Sequence, residues 1–455
     1  MNFSRKKILI IGMGKSGMAC AKFLAQQGAK ISIYDKKPKE HFQKEINELG
    51  GLDIAFYLSV EPTISKDEFD LLIVSPGVSL NIELIKMSQQ AGIPIWGELE
   101  LAYRLNKAHI IAVTGTNGKT TTTSLIGEIL KTAGLDVKVA GNIGIPLIQE
   151  TTLAQETSYL VVEVSSFQLE TTIKFKSEVA ILLNITPDHL DRHQTLENYA
   201  TIKSKIFENQ NADDFAVLNY DDVLVRKMRS KIKGKVIFFS QKHKLKAGVF
   251  FDEGKIKYSW QGETGCISMW EECSLKGAHN IENAMASVAV ALVLGVDKAM
   301  IKKGLENFAG VPHRLEVIGQ SEGVIYVNDS KGTNPEATIK ALEAYADKNI
   351  ILIAGGMDKK SSFEELAGVL SESRAKLIVF GETAEQIIDT ANASGVLEYY
   401  RVNNLEEAVF KAKEIATNDS VVLFSPACAS WDMYKNFEER GEHFRKLVRN
   451  LMGCK

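Results

Sequence analysis

The chain has 455 residues, of which 45% are hydrophobic and 24% charged, a globular balance in a length that suits about three domains. The net charge of −3 gives no long-range attraction for nucleic acid or an anionic membrane, and no apolar run reaches membrane-spanning length. The five cysteines form no C-x-x-C pair, so we expect reduced thiols in a cytoplasmic protein, whose first residues do not resemble a signal peptide.

Residues 1–98 alternate strand and helix patterns, which predicts a Rossmann-like domain. The segment Gly12-Met-Gly-Lys-Ser-Gly17 lies between the first strand and a helix, and Asp35 ends the next strand. Such glycines admit a diphosphate and such a carboxylate reaches a ribose hydroxyl, although a tight turn without a ligand is the alternative. The domain is too short for a full NAD-binding fold, so we favour a single nucleotide diphosphate, with Ser75-Pro-Gly77 at the same sheet edge.

A second domain, predicted over residues 99–310, begins with a strand, a glycine-rich turn and a threonine-rich helix between His109 and Ser124. Backbone N–H groups in such a turn face nucleotide phosphates, a lysine neutralises them and a hydroxyl reaches Mg²⁺. The strict pattern G-x-x-x-x-G-K-[ST] is not met, because Val113 stands where its first glycine belongs. An ordinary strand–turn–helix with a surface lysine is the alternative, but Gly118, Lys119 and four threonines in one turn favour ATP binding.

Two apolar strands of this domain end in titratable side chains. Glu163 lies in an apolar run, where a carboxylate is costly unless it is paired or bound to metal, and it suits a Mg²⁺ ligand. The segment Asp188-His-Leu-Asp-Arg-His193 follows the next apolar run, and ligation by His189 competes evenly with a capping or core role. Lys203 receives no role from chemistry alone, because a solvated helix face also explains it.

The end of the second domain changes character. Residues 235–240 and 248–258 are expected to be short antiparallel strands, the latter a hairpin around residues 252–254. They predict a small antiparallel addition to the parallel sheet.

A third domain, predicted over residues 311–455, again alternates strands and helices and is expected to be Rossmann-like. The turn Asn328-Asp-Ser-Lys-Gly-Thr-Asn-Pro335 holds a cation, a carboxylate and hydroxyls. The alternative is helix capping, with Asp329 or Ser330 at the N-cap and Asn334-Pro335 starting the helix. Two further turns follow strands of this domain, so three strand ends are expected to form a site for a small dianionic acid. Arg314, at the start of the domain, is expected to stabilise charge on a transferring phosphoryl group of ATP.

Several motifs occur in order along the chain. They are Gly115-Thr-Asn-Gly-Lys-Thr-Thr121, Gly141-Asn-Ile-Gly144, Glu163 with Ser165-Ser166, Asp188-His-Leu-Asp-Arg192, His279-Asn-Ile-Glu-Asn283, His313-Arg314, Asp329-Ser-Lys-Gly-Thr-Asn334 and Ser425-Pro-Ala-Cys-Ala-Ser430. This ordered set resembles the Mur ligase family, ATP-dependent amide-forming enzymes of bacterial cell-wall precursor synthesis. The resemblance covers essentially the whole chain and is strongest to members that join D-glutamate to UDP-N-acetylmuramoyl-L-alanine.

The resemblance implies an α/β fold with a Rossmann-like N-terminal domain for the UDP-substrate, a central P-loop ATPase-type parallel sheet and a Rossmann-like C-terminal domain for the amino acid. It implies ATP contacts at Gly115, Thr116, Asn117, Gly118, Lys119, Thr120, Thr121, Asn283, Arg314 and Asp329. It implies two Mg²⁺ ions held by Thr120, Glu163, His189 and Lys203, the last carbamylated by CO₂. The implied catalytic residues are Lys119, His189, Lys203, Arg314 and Lys331.

The substrate contacts that the resemblance implies fall into three groups. The uridine diphosphate group is expected at Ser16, Asp35, Lys36, Lys37, Ser75 and Gly77. The muramoyl-peptide is expected along Asn142, Ser165 and His189. D-Glutamate is expected beside Lys331, Thr333, Lys359, Ser430, Trp431 and Phe437.

Three other interpretations compete with this one. The first is a sister ligase that adds L-alanine, adds a diamino acid, or adds glutamate to a folate. The G-x-G-x-x-G first domain and the lack of an Asp-Asn-Pro-Arg segment argue against the diamino-acid and folate enzymes. A dinucleotide-dependent oxidoreductase fused to a phosphate-loop switch would leave the third domain idle. A catalytically dead regulatory homologue would not need the lysine, glutamate and histidine that are present here. We expect a monomer that takes small-molecule substrates, with domain closure over a water-sensitive acyl phosphate and with no nucleic acid or membrane insertion.

Overall fold

The computed structural model of the chain describes residues 1–273, 275, 277–358, 361–373, 375–396 and 398–453. Their strands form three separate sheets, each with helices beside it, so the predicted α/β class is confirmed. No helix among the described residues is both long and apolar enough to cross a membrane.

The N-terminal sheet is parallel throughout, in the order β3-β2-β1-β4-β5. Its strands are β1 (Lys7–Ile11), β2 (Lys30–Asp35), β3 (Ile54–Leu58), β4 (Leu71–Val74) and β5 (Ile95–Gly97). Its helices are α1 (Lys15–Gln26), α2 (Gln43–Glu48), α3 (Glu83–Gln90) and α4 (Glu98–Leu105). The chain adds β2 and β3 on one side of β1, and then β4 and β5 on its other side. The turns after β1 and β4 therefore lie side by side.

The central sheet has nine strands in the order β14-β13-β12-β11-β10-β9-β6-β8-β7. Its strands are β6 (His109–Thr114), β7 (Val137–Gly141), β8 (Tyr159–Glu163), β9 (Val179–Leu182), β10 (Phe215–Asn219), β11 (Lys235–Ser240), β12 (Gly248–Asp252), β13 (Lys255–Trp260) and β14 (Glu263–Met269). Its helices are α5 (Lys119–Thr132), α6 (Leu147–Thr151), α7 (Ser166–Leu169), α8 (Leu190–His193), α9 (Leu196–Ser204), α10 (Val223–Lys227), α11 (Ala278–Val293) and α12 (Lys298–Asn307).

The antiparallel addition to this sheet differs from the predicted one in its strands. Strands β12, β13 and β14 pair antiparallel, and the hairpin at residues 252–255 is present. The prediction for residues 235–240 was wrong, because β11 pairs parallel to both β10 and β12. The short apolar run of β11 is equally compatible with either direction, so its pairing partners decide the outcome.

The C-terminal sheet has six strands in the order β15-β16-β20-β17-β18-β19, antiparallel between β15 and β16 and parallel elsewhere. Its strands are β15 (Glu316–Ser321), β16 (Val324–Asn328), β17 (Asn349–Ala354), β18 (Lys376–Val379), β19 (Tyr399–Arg401) and β20 (Ser420–Phe424). Its helices are α13 (Pro335–Glu343), α14 (Glu364–Ser373), α15 (Ala384–Ala393), α16 (Leu405–Ile415) and α17 (Phe437–Leu451).

The chain forms two compact units. The first comprises residues 1–273 and 282–307 and contains both the N-terminal and the central sheet. The second comprises residues 274–281 and 308–455 and contains the C-terminal sheet. The two boundaries between the three predicted domains therefore stay predictions, although each sheet lies within one predicted domain.

Glu98 is a buried carboxyl group inside the first unit, at the start of α4. It is 1% exposed, and its Oε1 accepts the backbone N–H of Ile148 in α6 at 2.7 Å. Its Oε2 has no hydrogen-bond partner among the described residues. Burial penalises the carboxylate more than the backbone N–H groups of Ile148 and Leu147 stabilise it. The pKa of Glu98 therefore rises from 4.5 to about 7.

We expect this carboxyl group to make the protein less stable as the pH rises from 4.5 to 7. In that window the unfolded carboxyl group loses its proton while the folded one retains it, so unfolding releases protons. The shift corresponds to about 3 kcal/mol, which is lost by pH 7 and then stays constant. Glu98→Gln should remove this part of the pH dependence, measured by urea unfolding at several pH values.

The matched control is Glu156→Gln, since Glu156 is 77% exposed and forms only a 3.8 Å surface ion pair with Lys107. Its stability should follow that of the wild type at every pH. A Glu98→Gln variant with the wild-type pH slope would contradict the prediction.

Candidate functional site

The strongest candidate site lies at the carboxyl end of the central sheet, where β6 has β8 on one side and β9 on the other. The turn after β6 has positive φ at Gly115 (+156°) and Gly118 (+81°), and Gly118 immediately precedes helix α5. Both conformations favour glycine. A Cβ at Gly118 would also collide with the side-chain oxygen of Asn283, which receives a 3.2 Å hydrogen bond from Thr122. Sequence and geometry thus agree on a glycine-bearing turn at a helix N-terminus.

Two lysines converge on this turn. Lys119 Nζ donates to the carbonyl oxygens of Gly115 at 2.9 Å and Thr116 at 2.6 Å. Lys203 Nζ, from α9, donates to the same Gly115 oxygen at 2.7 Å and is 1% exposed. Burial and the nearby Lys119 hold the pKa of Lys203 well below its usual range, against the opposing effect of Asp188 and Glu163. The site therefore has two lysine amino groups on one carbonyl oxygen, and the low pKa of Lys203 favours its neutral amine beside the charged Lys119.

Glu163 joins three strand ends in this site. Its Oε2 accepts a 2.7 Å hydrogen bond from Thr120 Oγ1, and its Oε1 accepts a 2.8 Å bond from the side chain of Asn142. The Asn142 backbone N–H also donates to the Glu163 carbonyl at 2.9 Å. The predicted neighbours Thr120, Glu163 and Asn142 are thus in direct contact.

The rest of the predicted nucleotide turn is held by the segment that follows strand β9. Asn117 exchanges backbone-to-side-chain hydrogen bonds with Asn184, at 2.8 and 3.3 Å. The Thr116 hydroxyl donates to the Thr186 carbonyl and accepts from its N–H. Thr121 is 4% exposed on the first turn of α5. Asn184, which the sequence analysis did not single out, fixes this turn and was signalled by an amide directly after an apolar strand.

His189 lies beside this cluster in a left-handed conformation, with φ +53°. Its Nε2 is 3.6 Å from an Asp188 carboxylate oxygen, and its ring centroid is 4.8 Å from that of Phe167. Ser165, also predicted, caps α7 by accepting from the Gln168 N–H. Within the described residues no group of three or more His, Cys, Asp or Glu side chains is arranged to hold a metal ion. Metal ligation by His189 stays a prediction.

His193 is a buried neighbour of the site that the sequence analysis only included in a cluster. Its Nε2 lies 3.0 Å from the Ser166 hydroxyl, and its ring is 5.1 Å from that of Tyr199. The Tyr199 ring centroid in turn lies 4.5 Å from Lys203 Nζ. Burial lowers the pKa of His193, which favours a neutral ring. This stack supports the face of α9 that carries Lys203.

The predicted nucleotide-diphosphate turn of the N-terminal sheet is also formed. Gly12 has φ +95°, and its carbonyl accepts a 2.8 Å hydrogen bond from the Ser75 hydroxyl. The Asp35 carboxylate accepts the N–H groups of Met13 and Lys37, both at 3.0 Å. The predicted residues Ser16, Lys36, Lys37 and Gly77 are partly or fully exposed around it. These side chains surround one sheet edge.

In the second unit, Asp329 lies fully buried after β16. It accepts hydrogen bonds from Ser425 Oγ at 2.7 Å and the Leu315 N–H at 3.2 Å, and Arg314 Nη1 lies 3.5 Å away. Burial raises the pKa of Asp329, although Arg314 and these hydrogen bonds lower it. The capping alternative is half correct: the helix starts at Asn334-Pro335 as predicted, but its N-cap is Asn334 and not Asp329 or Ser330.

Lys331 and Phe437 meet in the same unit, with Lys331 Nζ 4.9 Å from the ring centroid. Thr333 follows in the same turn, where its N–H donates to the Lys331 carbonyl. Ser430 is 2% exposed and Trp431 is 64% exposed, so the two neighbours differ in accessibility. Lys359 lies outside the described residues.

Arg440 was missed by the sequence analysis. It is 1% exposed, and its guanidinium donates to the carbonyl oxygens of Ser330, Cys428 and Ala429 and to the Ser330 hydroxyl. Burial lowers its pKa to about 10. Arg440 therefore ties together the two loops that carry Lys331 and Ser430. Its position in the first turn of an amphipathic helix gave no signal of this.

Three models of one family match successive parts of the chain. Residues 6–97 match the Mur ligase MurD-like N-terminal domain, residues 113–291 the Mur ligase middle domain, and residues 313–428 the Mur ligase glutamate ligase domain. The chain belongs to the Mur ligase family, which confirms the resemblance found in its motifs.

Curated relatives match over almost the full length. A protein of Pelotomaculum thermopropionicum named UDP-N-acetylmuramoylalanine–D-glutamate ligase is 46% identical over 99% of both chains. Proteins of the same name from Alkaliphilus oremlandii and Clostridioides difficile are 45% and 44% identical, each over 99% of this chain and 100% of theirs. These three relatives all bear the name of the D-glutamate-adding ligase of the family.

Solved structures of other ligases share the fold. The UDP-N-acetylmuramate–alanine ligase MurC from Thermotoga maritima has a TM-score of 0.62 at 21% identity, covering 99% of this chain and 100% of that one. MurF from Acinetobacter baumannii has a TM-score of 0.63 at 18% identity, covering 98% and 90%. At these identities the likeness concerns the fold alone.

We expect Gly118→Ala to weaken binding of a nucleotide triphosphate at least tenfold. The new methyl group would strain a positive φ and displace Asn283 from Thr122. The matched control is Gly134→Ala, since Gly134 has the same φ of +81° but open space around its Cβ position. The strained φ should cost each variant about 1 kcal/mol of stability, and the collision with Asn283 should cost Gly118→Ala more. Calorimetric titration with a non-hydrolysable ATP analogue should separate them, and equal affinities would contradict this role of the turn.

Proposed function

We propose that the chain joins D-glutamate to UDP-N-acetylmuramoyl-L-alanine with hydrolysis of ATP to ADP and phosphate. The observation that carries the proposal is the meeting of Lys119, Lys203, Thr120 and Glu163 at the ends of two neighbouring strands. Whole-length relatives that bear the name of this reaction support the choice of substrates.

Mg²⁺ fits the side chains present here. Thr120 Oγ1 and Glu163 Oε2 are oxygen donors 2.7 Å apart beside the phosphate turn, and Mg²⁺ prefers such donors together with phosphate oxygens. When bound, Mg²⁺ would offset the charge of the β- and γ-phosphates. We propose Thr120, Glu163, His189 and a carbamylated Lys203 as the protein ligands of two such ions.

In the first step a carboxylate oxygen of the L-alanyl group attacks the γ-phosphorus of ATP, and the bond from phosphorus to the ADP oxygen breaks. Lys119 is placed to stabilise the charge on the transferring phosphoryl group, because its ammonium already reaches the turn that cradles phosphates. We assign Arg314 the same task from the second unit, where it lies beside the buried Asp329. The products of this step are an acyl phosphate and ADP.

In the second step the amine of D-glutamate attacks the acyl carbon. The amine loses a proton, the tetrahedral intermediate collapses, and inorganic phosphate leaves. The cation of Lys331 over Phe437, with Thr333, Ser430 and Lys359, would bind the two carboxylates of D-glutamate. Arg440 would keep their loops in place through the three carbonyl oxygens that it binds.

The uridine diphosphate end of the substrate would bind the turns after β1 and β4, beside Ser16, Asp35, Lys36, Lys37, Ser75 and Gly77. Asn142, Ser165 and His189 would line the muramoyl-peptide between that end and the nucleotide. Because all of these motifs lie in one chain, a monomer suffices, and we place the enzyme in the cytoplasm, where ATP is available.

Lys203 has the properties required for carbamylation. Burial lowers its pKa, which increases the fraction of neutral amine that attacks the carbon of CO₂. The nitrogen then loses a proton to water, so a cation becomes an anion. The remaining N–H of the carbamate still suits the Gly115 carbonyl that Lys203 now contacts.

Lys203→Ala should lower ligase activity at least about 100-fold, since a metal ligand and a charge are lost together. Added formate or acetate should restore part of the activity by occupying the carbamate position. Wild-type protein equilibrated with ¹³C-bicarbonate should give a carbamate NMR signal that Lys203→Ala lacks. The control is the exposed Lys227→Ala on α10, and a fully active Lys203→Ala would refute the carbamate.

The substrate assignment is tested by phosphate release from ATP in the presence of UDP-N-acetylmuramoyl-L-alanine. D-Glutamate, L-glutamate, L-alanine and L-lysine are offered in parallel, with UDP-N-acetylmuramate as a control acceptor. We expect release only with D-glutamate and the L-alanyl acceptor. Release with another amino acid would make the chain a sister ligase, and no release at all would refute the proposed reaction.

A further inference from the structure

Arg192, the third residue of α8, bridges three elements of the first unit. Its Nε donates to Glu170 Oε1 at 3.0 Å, and its Nη2 donates to Glu170 Oε2. The same Nη2 donates to the Val78 carbonyl oxygen at 3.0 Å. The Arg192 and Glu170 side chains are only 18% and 12% exposed, so this is a mostly desolvated, bidentate ion pair.

The guanidinium also contacts the aromatic side chain next to His189. Its central carbon lies 4.3 Å from the centroid of Phe167, and the Phe167 ring lies 4.8 Å from the ring of His189. The backbone N–H of Arg192 donates to the His189 carbonyl at 3.1 Å. The position of His189 is therefore tied to Arg192 through both the backbone and the Phe167 ring.

At its other end the contact reaches the glycine turn of the N-terminal sheet. Val78 N–H donates to the Ser75 carbonyl at 2.9 Å, and the Ser75 hydroxyl donates to the Gly12 carbonyl at 2.8 Å. Hydrogen bonds thus connect Gly12, Ser75, Val78, Arg192 and His189 in turn. The bond between Arg192 and Val78 joins the two consecutive members of this series that are furthest apart in sequence.

We propose that Arg192 is a positioning residue that fixes His189 and Phe167 relative to the turn Ser75–Val78. This inference rests on the proposed function, in which the turn binds the uridine diphosphate end and His189 lies at the reacting end. A substrate bound at the turn then holds its L-alanyl carboxylate at a fixed position relative to the nucleotide. Arginine suits this task because its planar fork binds a carboxylate and a carbonyl at once while stacking on a ring.

Arg192→Lys keeps the charge but loses the fork and the stacking. We expect kcat/KM for UDP-N-acetylmuramoyl-L-alanine to fall at least tenfold. The dissociation constant of ATP should change less than twofold, because the phosphate turn makes no contact with Arg192 among the described hydrogen bonds. A normal kcat/KM would overturn the proposal.

The doubly neutral variant Arg192→Met/Glu170→Met separates positioning from stability. Removing both charges leaves no unpaired buried ion, so its melting temperature should recover relative to Arg192→Met alone. We expect kcat/KM to stay low in spite of that recovery. If activity recovers together with stability, Arg192 is only a structural ion pair and the proposal fails.

A readout without turnover keeps the test independent of the proposed reaction. UDP alone should slow hydrogen exchange of the backbone amides of residues 188–193 in the wild type, and this protection should be lost in Arg192→Lys. Equal protection in both proteins would overturn the positioning role even if the ligase reaction stands. Conversely, the wild-type protein could use none of the amino acids and still show protection of residues 188–193 by UDP. That result would refute the proposed reaction but not the link between the turn Ser75–Val78 and His189.

The matched control is Arg104→Lys. Arg104 also pairs with a buried glutamate, Glu100, at 2.6 Å and lies 4.3 Å from the ring centroid of Trp96. Arg104 shares the buried carboxylate partner and the aromatic ring contact of Arg192, and its described hydrogen bond does not involve the turn Ser75–Val78 or His189. We expect its kcat/KM to stay within twofold of the wild type, and an equal loss in both variants would reduce the effect at Arg192 to general destabilisation.

Discussion

The contact between Thr120 and Glu163 is the constraint on which the central site depends. It holds the first turn of α5 against the end of β8, and the second Glu163 oxygen holds Asn142 at the end of β7. A single carboxylate thus fixes three strand ends that the parallel sheet brings to one edge. Since the carboxylate is 1% exposed, its two polar partners also limit the cost of burying it. The two lysines on the Gly115 carbonyl complete a compact cluster of both charge signs.

The sequence was sufficient for the class of fold and for most contacts around the nucleotide turn. Glycines at positive φ and a glutamate within an apolar strand each have few physical explanations, so their local geometry was predictable. Their roles toward a ligand stay predictions. The direction of β11 was not readable, because an apolar strand fits parallel or antiparallel neighbours equally well. The helix cap was misassigned to Asp329 or Ser330, since nothing local distinguishes a capping side chain from one that accepts hydrogen bonds from distant Ser425.

The supporting residues to which the sequence analysis gave no role share one property. Arg440, Arg192 and Asn184 act by contacts to backbone groups that are distant in sequence, so neither the motif that contains Arg192 nor the apolar strand before Asn184 identified their partners. Catalytic chemistry needs particular side chains and leaves a pattern, whereas a supporting arginine needs only reach and burial. Their roles depend on the packing of elements that are far apart in sequence, and that packing is available only from the structure.

The position of β20 has a consequence for how the C-terminal sheet is assembled during synthesis. Strand β20 lies between β16 and β17 and pairs with both, whereas β16 and β17 do not pair with each other. Both of these strands are complete about 65 residues before β20 begins. Until β20 leaves the ribosome, the sheet has an open slot in its centre rather than a frayed edge. The exposed strand borders on either side of that slot are a template for wrong pairing. The C-terminal sheet therefore folds late, as one cooperative event that waits for β20, its last strand in chain order.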